Sequence, residues 1–408
     1  MILTPILLAL APAASIEAPA DLLAIRAPRV EVGNGETLHH AVILVEDGRI
    51  VTIGEDLPIE RGIPVLELSE GQVVMPGLVC AYSRIGLSGN GFSDSRPWVK
   101  ASDELYPASG DYPKVLEAGV TTLGQYPAGN SVPGQAVAVR PKGSSAAEMI
   151  LADSVYLKII MGNSRSLKGN ISEGFNRADK WLEKEAKNRE KWEKDKKKFD
   201  DEDDKEKKKE LDPGPYVPEE EDEKAQAFLD LRSGELRALI SITSSAGYLH
   251  LLDAIGEEEF GWDLRIPLSR NTDVFHVKEQ IGERGLRIAM EPEISLHPGT
   301  LRQRNLPAEF ARAGAKLVLL PRAGSTSSLE TWRRDTATLI AAGLDYQTAL
   351  RAMTLEAAAM LGLQDSIGSL EPGKAANMII LDGDPFEAAT KVEAVMLDGD
   401  FVHGEVNL

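Results

Sequence analysis

Six histidines are all the imidazoles that a metal-centred or general-base chemistry could draw on in this chain of 408 residues: His39, His40, His250, His276, His297 and His403. Their spacing supplies neither His-x-His nor His-Glu-x-x-His, the patterns that set two imidazoles on one side of a strand or helix. His297 follows Glu291 and Glu293 closely enough to suggest an oxygen-and-nitrogen ligand set. Such a set would hold one divalent ion, zinc or iron, and activate water on it. No Gly-x-Ser-x-Gly elbow and no Walker-type phosphate loop occurs. Cys80 is the only cysteine, so neither an intramolecular disulfide framework nor a multi-cysteine metal cluster is available.

The elements that must carry these residues follow a changing period. From about residue 21 to 75 the pattern is short strands broken by Asn34-Gly35 and Asp47-Gly48, the second a good hairpin signal because both residues tolerate positive φ. Strand patterns return near the C-terminus, across residues 376–382 and 392–397. Between them, helix-like stretches alternate with short apolar runs for some 280 residues, as a (β/α) barrel requires. The expected fold is therefore α/β. A (β/α) barrel is expected over residues 76–362, with a small β domain formed by both chain ends, residues 21–75 and 363–408.

Residues 177–224 interrupt the barrel pattern. Their 15 basic and 19 acidic residues nearly cancel, so most of the net charge of −19 is spread over the rest of the chain. Acid–base pairs at i,i+3 and i,i+4 support a solvated helix, with Trp181, Trp192 and Phe199 as sparse apolar anchors. Asp212-Pro213-Gly214-Pro215 stops any helix there. The block is expected to be a solvated helical hairpin or partly disordered excursion, or else an arm that docks a partner. The acidic balance excludes a general nucleic-acid binder.

An apolar run over residues 1–15 ends in small residues, which suggests a signal peptide within residues 1–20, although no Lys or Arg precedes it. The expectation is a periplasmic or secreted protein, or a cytoplasmic one if the segment is not a signal. No segment is long and apolar enough to span a bilayer.

Several stretches resemble one known family. Met75-Pro76-Gly77-Leu78-Val79-Cys80-Ala81-Tyr82-Ser83-Arg84 resembles the entry to the first barrel strand of the amidohydrolase superfamily, where the usual ending is Asp-x-His-x-His. Gly368-Ser369-Leu370-Glu371-Pro372-Gly373-Lys374-Ala375-Ala376-Asn377 is similar to that family's C-terminal return. Ala118-Gly119-Val120-Thr121-Thr122-Leu123 and the Gly129–Val139 stretch look like its imidazolonepropionase-related branch. The likeness covers roughly residues 22–402. It implies a TIM-like barrel with a bipartite β-sandwich, and a metal-dependent hydrolysis of carbon–nitrogen bonds other than peptide bonds, as in cyclic amides.

The same resemblance puts the wrong residues at the positions that do the chemistry. Tyr82 and Arg84 stand where the family has His-x-His. Ser241 stands for the fifth-strand His, Arg270 for the sixth-strand His, and Arg322 for the eighth-strand catalytic Asp. Lys158 and Asn163 match the fourth strand, where some relatives have a Lys or Glu ligand. Guanidinium cannot lose its proton to become a ligand, and it repels a divalent ion. The resemblance thus implies a barrel kept and a metal centre lost, with no catalytic residue and no cofactor. Such a chain would serve as a partner subunit, pairing with itself or with an intact amidohydrolase paralogue, or as a binder of a small anionic ligand, should Arg84, Arg270 and Arg322 converge. The alternative is an active metal-dependent hydrolase rearranged around His297, Glu291 and Lys158.

Overall fold

A computed structural model describes residues 22–161, 165–268 and 272–404. The signal-peptide expectation for residues 1–20, and Asn163 and Arg270, lie outside the described residues.

An eight-stranded sheet is built from both ends of the chain. Strand Leu22–Glu31 pairs antiparallel with Thr37–Glu46, which turns at Asp47-Gly48 into Arg49–Glu55. Asp47 and Gly48 have φ of 47° and 76°, so the hairpin signal in the sequence is met by the backbone it calls for. Val73–Pro76 lies between Leu22–Glu31 and the C-terminal strand Met378–Leu381, which leads on to Val392–Leu397 and Asp400–His403. The two central strands Val73–Pro76 and Met378–Leu381 are buried along their whole length. One face packs Ile25, Ile43, Val74, Met378 and Met396 into a separate core, and the other presents Met75, Ile379 and Leu397 to the helices beneath. Burial on both faces explains why these strands read as unbroken apolar runs rather than alternating ones.

Seven further strands share one direction: Leu78–Ser83, Val120–Gln125, Leu157–Ile160, Ala238–Ser241, Trp262–Arg265, Arg287–Met290 and Lys316–Leu319. The first two belong to a four-stranded sheet and the other five to a six-stranded one. The chain passes between the sheets at Gly134–Gln135 and Val137–Val139, which run antiparallel to Leu157–Ile160 and Val120–Gln125 respectively. This is where eight parallel strands would need a third parallel member. Only residues 126–133 separate the strands there, too few for a parallel crossover, which takes a dozen or more residues, so the chain folds straight back.

Val79, Ala81, Ala136, Ala138, Leu239, Ala289 and Val318 from both sheets meet in one apolar cluster, so the sheets enclose a common interior. Among the described residues no hydrogen-bonded ladder joins Leu78–Ser83 to Lys316–Leu319. Helix Leu355–Met360 packs on both of these strands, and its Ala357, Ala358 and Met360 enter the same cluster.

The charged insertion is helical and starts earlier than its composition suggests. A 37-residue helix runs Arg165–Asp201, followed by Lys205–Leu211 and, after an extended return, Glu223–Ser233. The first helix stops at the acidic run 200–204, before Asp212-Pro213. Five carboxylates at a helix C-terminus oppose its dipole, and Asp204 instead caps the next helix by accepting from the Glu206 N–H. The return segment is fastened along the long helix. Arg177 bonds Asp222 at 2.7 Å, the Trp181 indole donates to Glu220 O at 3.0 Å, and Asn188 donates to Val217 O at 3.0 Å. The Trp192 indole reaches Gly214 O at 3.0 Å. Fifteen helical residues rise about 22 Å and eight extended residues span about 25 Å, which is why these rungs keep step. No helix among the described residues is long and apolar enough to cross a membrane.

Candidate functional site at the strand ends

Parallel strands flanked by helices place their chemistry at the C-terminal ends. There the first strand supplies Tyr82, the second leads to Tyr126, and Leu157–Ile160 carries Lys158. Ser241 and Arg265 stand side by side in register on the next two strands, with Ala289 beyond them and Glu291 just past its end.

Two tyrosines and two cations form the centre. The rings of Tyr82 and Tyr126 stack with centroids 3.8 Å apart. Lys158 Nζ lies 3.9 Å from the Tyr126 centroid and 5.5 Å from that of Tyr82. The Arg265 guanidinium lies 5.3 Å from the Tyr82 centroid. Lys158 is only 5% exposed, and no carboxylate pairs with it among the described residues. Burial, with Arg84 and Arg265 adding like charge, lowers its pKa to about 7. Burial raises both phenols above their ordinary range. Arg265 is matched differently. Its Nη1 donates to Glu291 at 3.2 Å, its Nη2 pairs with the same carboxylate, and Glu291 also accepts from the Leu268 N–H at 3.1 Å.

The other residues singled out in the sequence take separate places. Arg84 donates to Tyr126 O and to Gly89 O, both at 2.8 Å, and meets Glu104 at 3.3 Å, so it fastens the loop after the first strand to that after the second. Arg322 lies 3.5 Å from Asp335 and donates to Pro292 O at 3.4 Å, with half its side chain exposed. Each thus has its own mostly buried acidic neighbour. Ser241 is half-buried, and its carbonyl accepts from the Met161 N–H at 2.9 Å. His297 packs its ring 5.4 Å from Phe275, with Nδ1 3.2 Å from Arg304. Glu291 belongs with Arg265 and Lys158 with Tyr126, so contacts do not draw His297, Glu291 and Lys158 into one ligand set.

Arg265 and Tyr126 escaped the sequence reading. The family pattern drew attention to Arg270 in Arg270-Asn271-Thr272-Asp273, whereas the strand ends at Arg265. The available signal was a charge at every second position of Trp262-Asp263-Leu264-Arg265, which marks a strand with a polar inner face. Asp263, one inward step earlier, lies 3.3 Å from Arg237 and 3.4 Å from Arg287, and Arg287 reaches Glu356 at 3.2 Å. That second network sits toward the opposite ends of the strands, where charge serves stability.

The donor chemistry does not suit a divalent cation. Among the described residues, no three His, Cys, Asp or Glu side chains come together as a metal would require. Glu291, the carboxylate at these strand ends, already serves a guanidinium and a backbone N–H.

Comparison with known proteins agrees with the architecture. A model of the amidohydrolase family matches residues 318–403. An imidazolonepropionase from Sphingopyxis alaskensis is 39% identical over 99 residues, a stretch that is 22% of this chain and 24% of that relative. The match thus spans about a quarter of the length of that curated relative. Among solved structures, an amidohydrolase from Thermotoga maritima superposes with a TM-score of 0.74 at 21% identity, covering 94% of this chain and 100% of that one. A Xaa-Pro dipeptidase with bound methionine in its active site gives 0.55 at 14% identity, covering 94% and 100%. A molinate hydrolase gives 0.53 at 14%, covering 94% and 95%. Family model and local relative match the C-terminal part of the chain to the amidohydrolase family, and the full-length likeness to solved amidohydrolases shows a shared fold.

Proposed function

We propose that this chain uses the amidohydrolase scaffold, as a TIM-like barrel with its composite β domain, without the family's catalytic metal, and that its strand-end site binds a small anion. The observation that carries this reading is Lys158, a buried amine with no carboxylate partner among the described residues, beside Arg265 and walled by Tyr82 and Tyr126. A cationic centre of this kind attracts carboxylate or phosphate and repels a divalent ion. The convergence of Arg84, Arg270 and Arg322 is not the basis of the site, because Arg84 and Arg322 have acidic neighbours of their own. A hydrolase rearranged around His297, Glu291 and Lys158 is a poorer fit, because Glu291 is engaged by Arg265.

Metal analysis of the purified protein, together with hydrolysis of a cyclic imide, tests the reading. It expects no stoichiometric metal, no hydrolysis, and saturable acetate or phosphate binding that Lys158→Met abolishes. Stoichiometric zinc or iron with turnover would overturn it. A partner-subunit role draws on a different observation, the solvated arm of residues 165–222, which offers a surface for a second copy or for an intact relative. Co-purification with a chain that keeps His-x-His supports that role, and loss of the complex on trimming the arm tip confirms the surface. Export through the apolar N-terminal run belongs to the same proposal, and N-terminal sequencing of protein from the producing cell tests it.

A further inference from the structure

A cavity lies where the arm joins the body, away from the strand-end cluster. Its volume is about 460 Å³, and it opens between Ser95 and Pro97, on the loop after the first strand, and the roots of helices Arg165–Asp201 and Glu223–Ser233. A space of this size suits a small organic molecule. Three cations border it, Arg177, Lys180 and Lys224, against one lining carboxylate, Glu173.

Neighbours position two of these cations. Arg177 is held through Nε by Asp222 at 2.7 Å, which leaves its terminal nitrogens to face elsewhere. Asp222 is fixed in turn as the cap of Glu223–Ser233, accepting from the N–H groups of Lys224 and Ala225. Lys224 lies with Nζ 5.2 Å from the Trp98 ring centroid. The apolar side is equally defined. Phe228 is 2% exposed and packs on Gly174, where an added Cβ would sit 2.0 Å from its ring. Asn170, on the same wall, has a buried Nδ2 with no hydrogen-bond acceptor among the described residues. A buried amide donor without a partner is costly, and a ligand oxygen would satisfy it.

We infer that this cavity is a binding site for a small amphipathic anion, a carboxylate or phosphate on an apolar body. The anionic group meets Arg177, Lys180 and Lys224, and the apolar body lies against Phe228 and Pro97. The inference is independent of the strand-end reading, because it shares no residue with Lys158, Arg265 or the tyrosines.

Calorimetric titration of the full chain with phenyl phosphate, benzoate and the neutral analogue benzamide is the test. Saturable one-to-one binding of an anion, with benzamide silent, is the expected result. The double variant R177Q/K180Q weakens it about tenfold or more, the loss of one or two charged hydrogen bonds. K207Q/K209Q removes the same charge from the exposed arm tip and leaves affinity unchanged. Glu173→Gln tightens binding by removing the opposing carboxylate. Absence of saturable binding, or equal weakening by the two double variants, would overturn the inference in favour of a diffuse charge effect.

Discussion

Lys158 is an amine taken out of water and given like charges for company, so the folded state resists its protonation. Its pKa of about 7 lies below the ordinary 10.5, with burial the main cause and Arg84 and Arg265 next. Between these values the unfolded chain holds a proton that the folded chain lacks, so this group's contribution to stability rises with pH across that window and is lowest below it. Lys158→Met removes the cost. The variant should therefore gain most over the parent at about pH 6 and less at about pH 9, read as urea midpoints. The variant's loss of anion binding should be read at about pH 6, where the parent's amine is protonated. Glu291 is the opposite case, since Arg265 depends on it. Glu291→Gln leaves a buried guanidinium underpaired and should lower stability by about 3–5 kcal/mol, whereas the joint change Arg265→Met with Glu291→Leu should cost far less. Thermodynamic double-mutant analysis separates the two. Little of this was legible from residue types alone. Lys158 stood out by its match to a family position, but its partners depend on which strand lies beside which.

At the scale of elements, the arm shows how composition predicts a helix better than its ends. Salt-bridge spacing announced the helix, and its pairs are present, as with Glu190 and Lys194. The start at Arg165 was hidden, because residues 165–176 have the mixed polarity of a helix that packs, and Ile171 and Phe175 are buried. The return segment could not be read as structure at all. Its prolines exclude helix, and what orders it is a set of bonds from the neighbouring helix. Trp192 is the outermost of these rungs, donating to Gly214 and meeting the Tyr216 ring edge-on at 5.5 Å. Trp192→Ala should release the segment around Gly214 and Tyr216, with faster amide exchange there and unchanged protection at the root, where Arg177 still holds Asp222. Uniform loss of protection along the whole segment would show that the rungs act as one unit.

For the whole molecule, the order of strand and helix patterns was enough to place a β unit from both chain ends beside an α/β unit. The antiparallel third position was not anticipated, although the short link between Gln125 and Gly134 contained the reason. The two units are joined through a polar cluster that no periodicity reveals. Glu31 is fully buried and accepts from Thr37 at 2.7 Å and from Gln347 at 3.0 Å, and Arg29 links it to Asp384 at 2.9 Å. Gln347 lies on helix Tyr346–Met353, so this carboxylate ties the composite sheet to the body. Glu31→Gln should cost about 2–3 kcal/mol, the worth of charge-assisted hydrogen bonds, and should lower the unfolding midpoint of both units together. A split into two transitions would show that the cluster is what couples them.

The position of Val73–Pro76 between an early strand and a late one has a consequence for how the protein is made. One edge of that strand is covered by Leu22–Glu31 soon after both leave the ribosome. The other waits for Met378–Leu381, about 300 residues later. At cellular synthesis rates that is on the order of 15–60 s with an apolar strand edge open to other chains. A nascent chain of this protein is therefore expected to need a chaperone over the composite sheet until the last strands arrive. Ribosome-bound chains stalled before residue 378 should bind such a holdase, and chains with an added C-terminal linker long enough to bring residue 403 out of the ribosome should let it go.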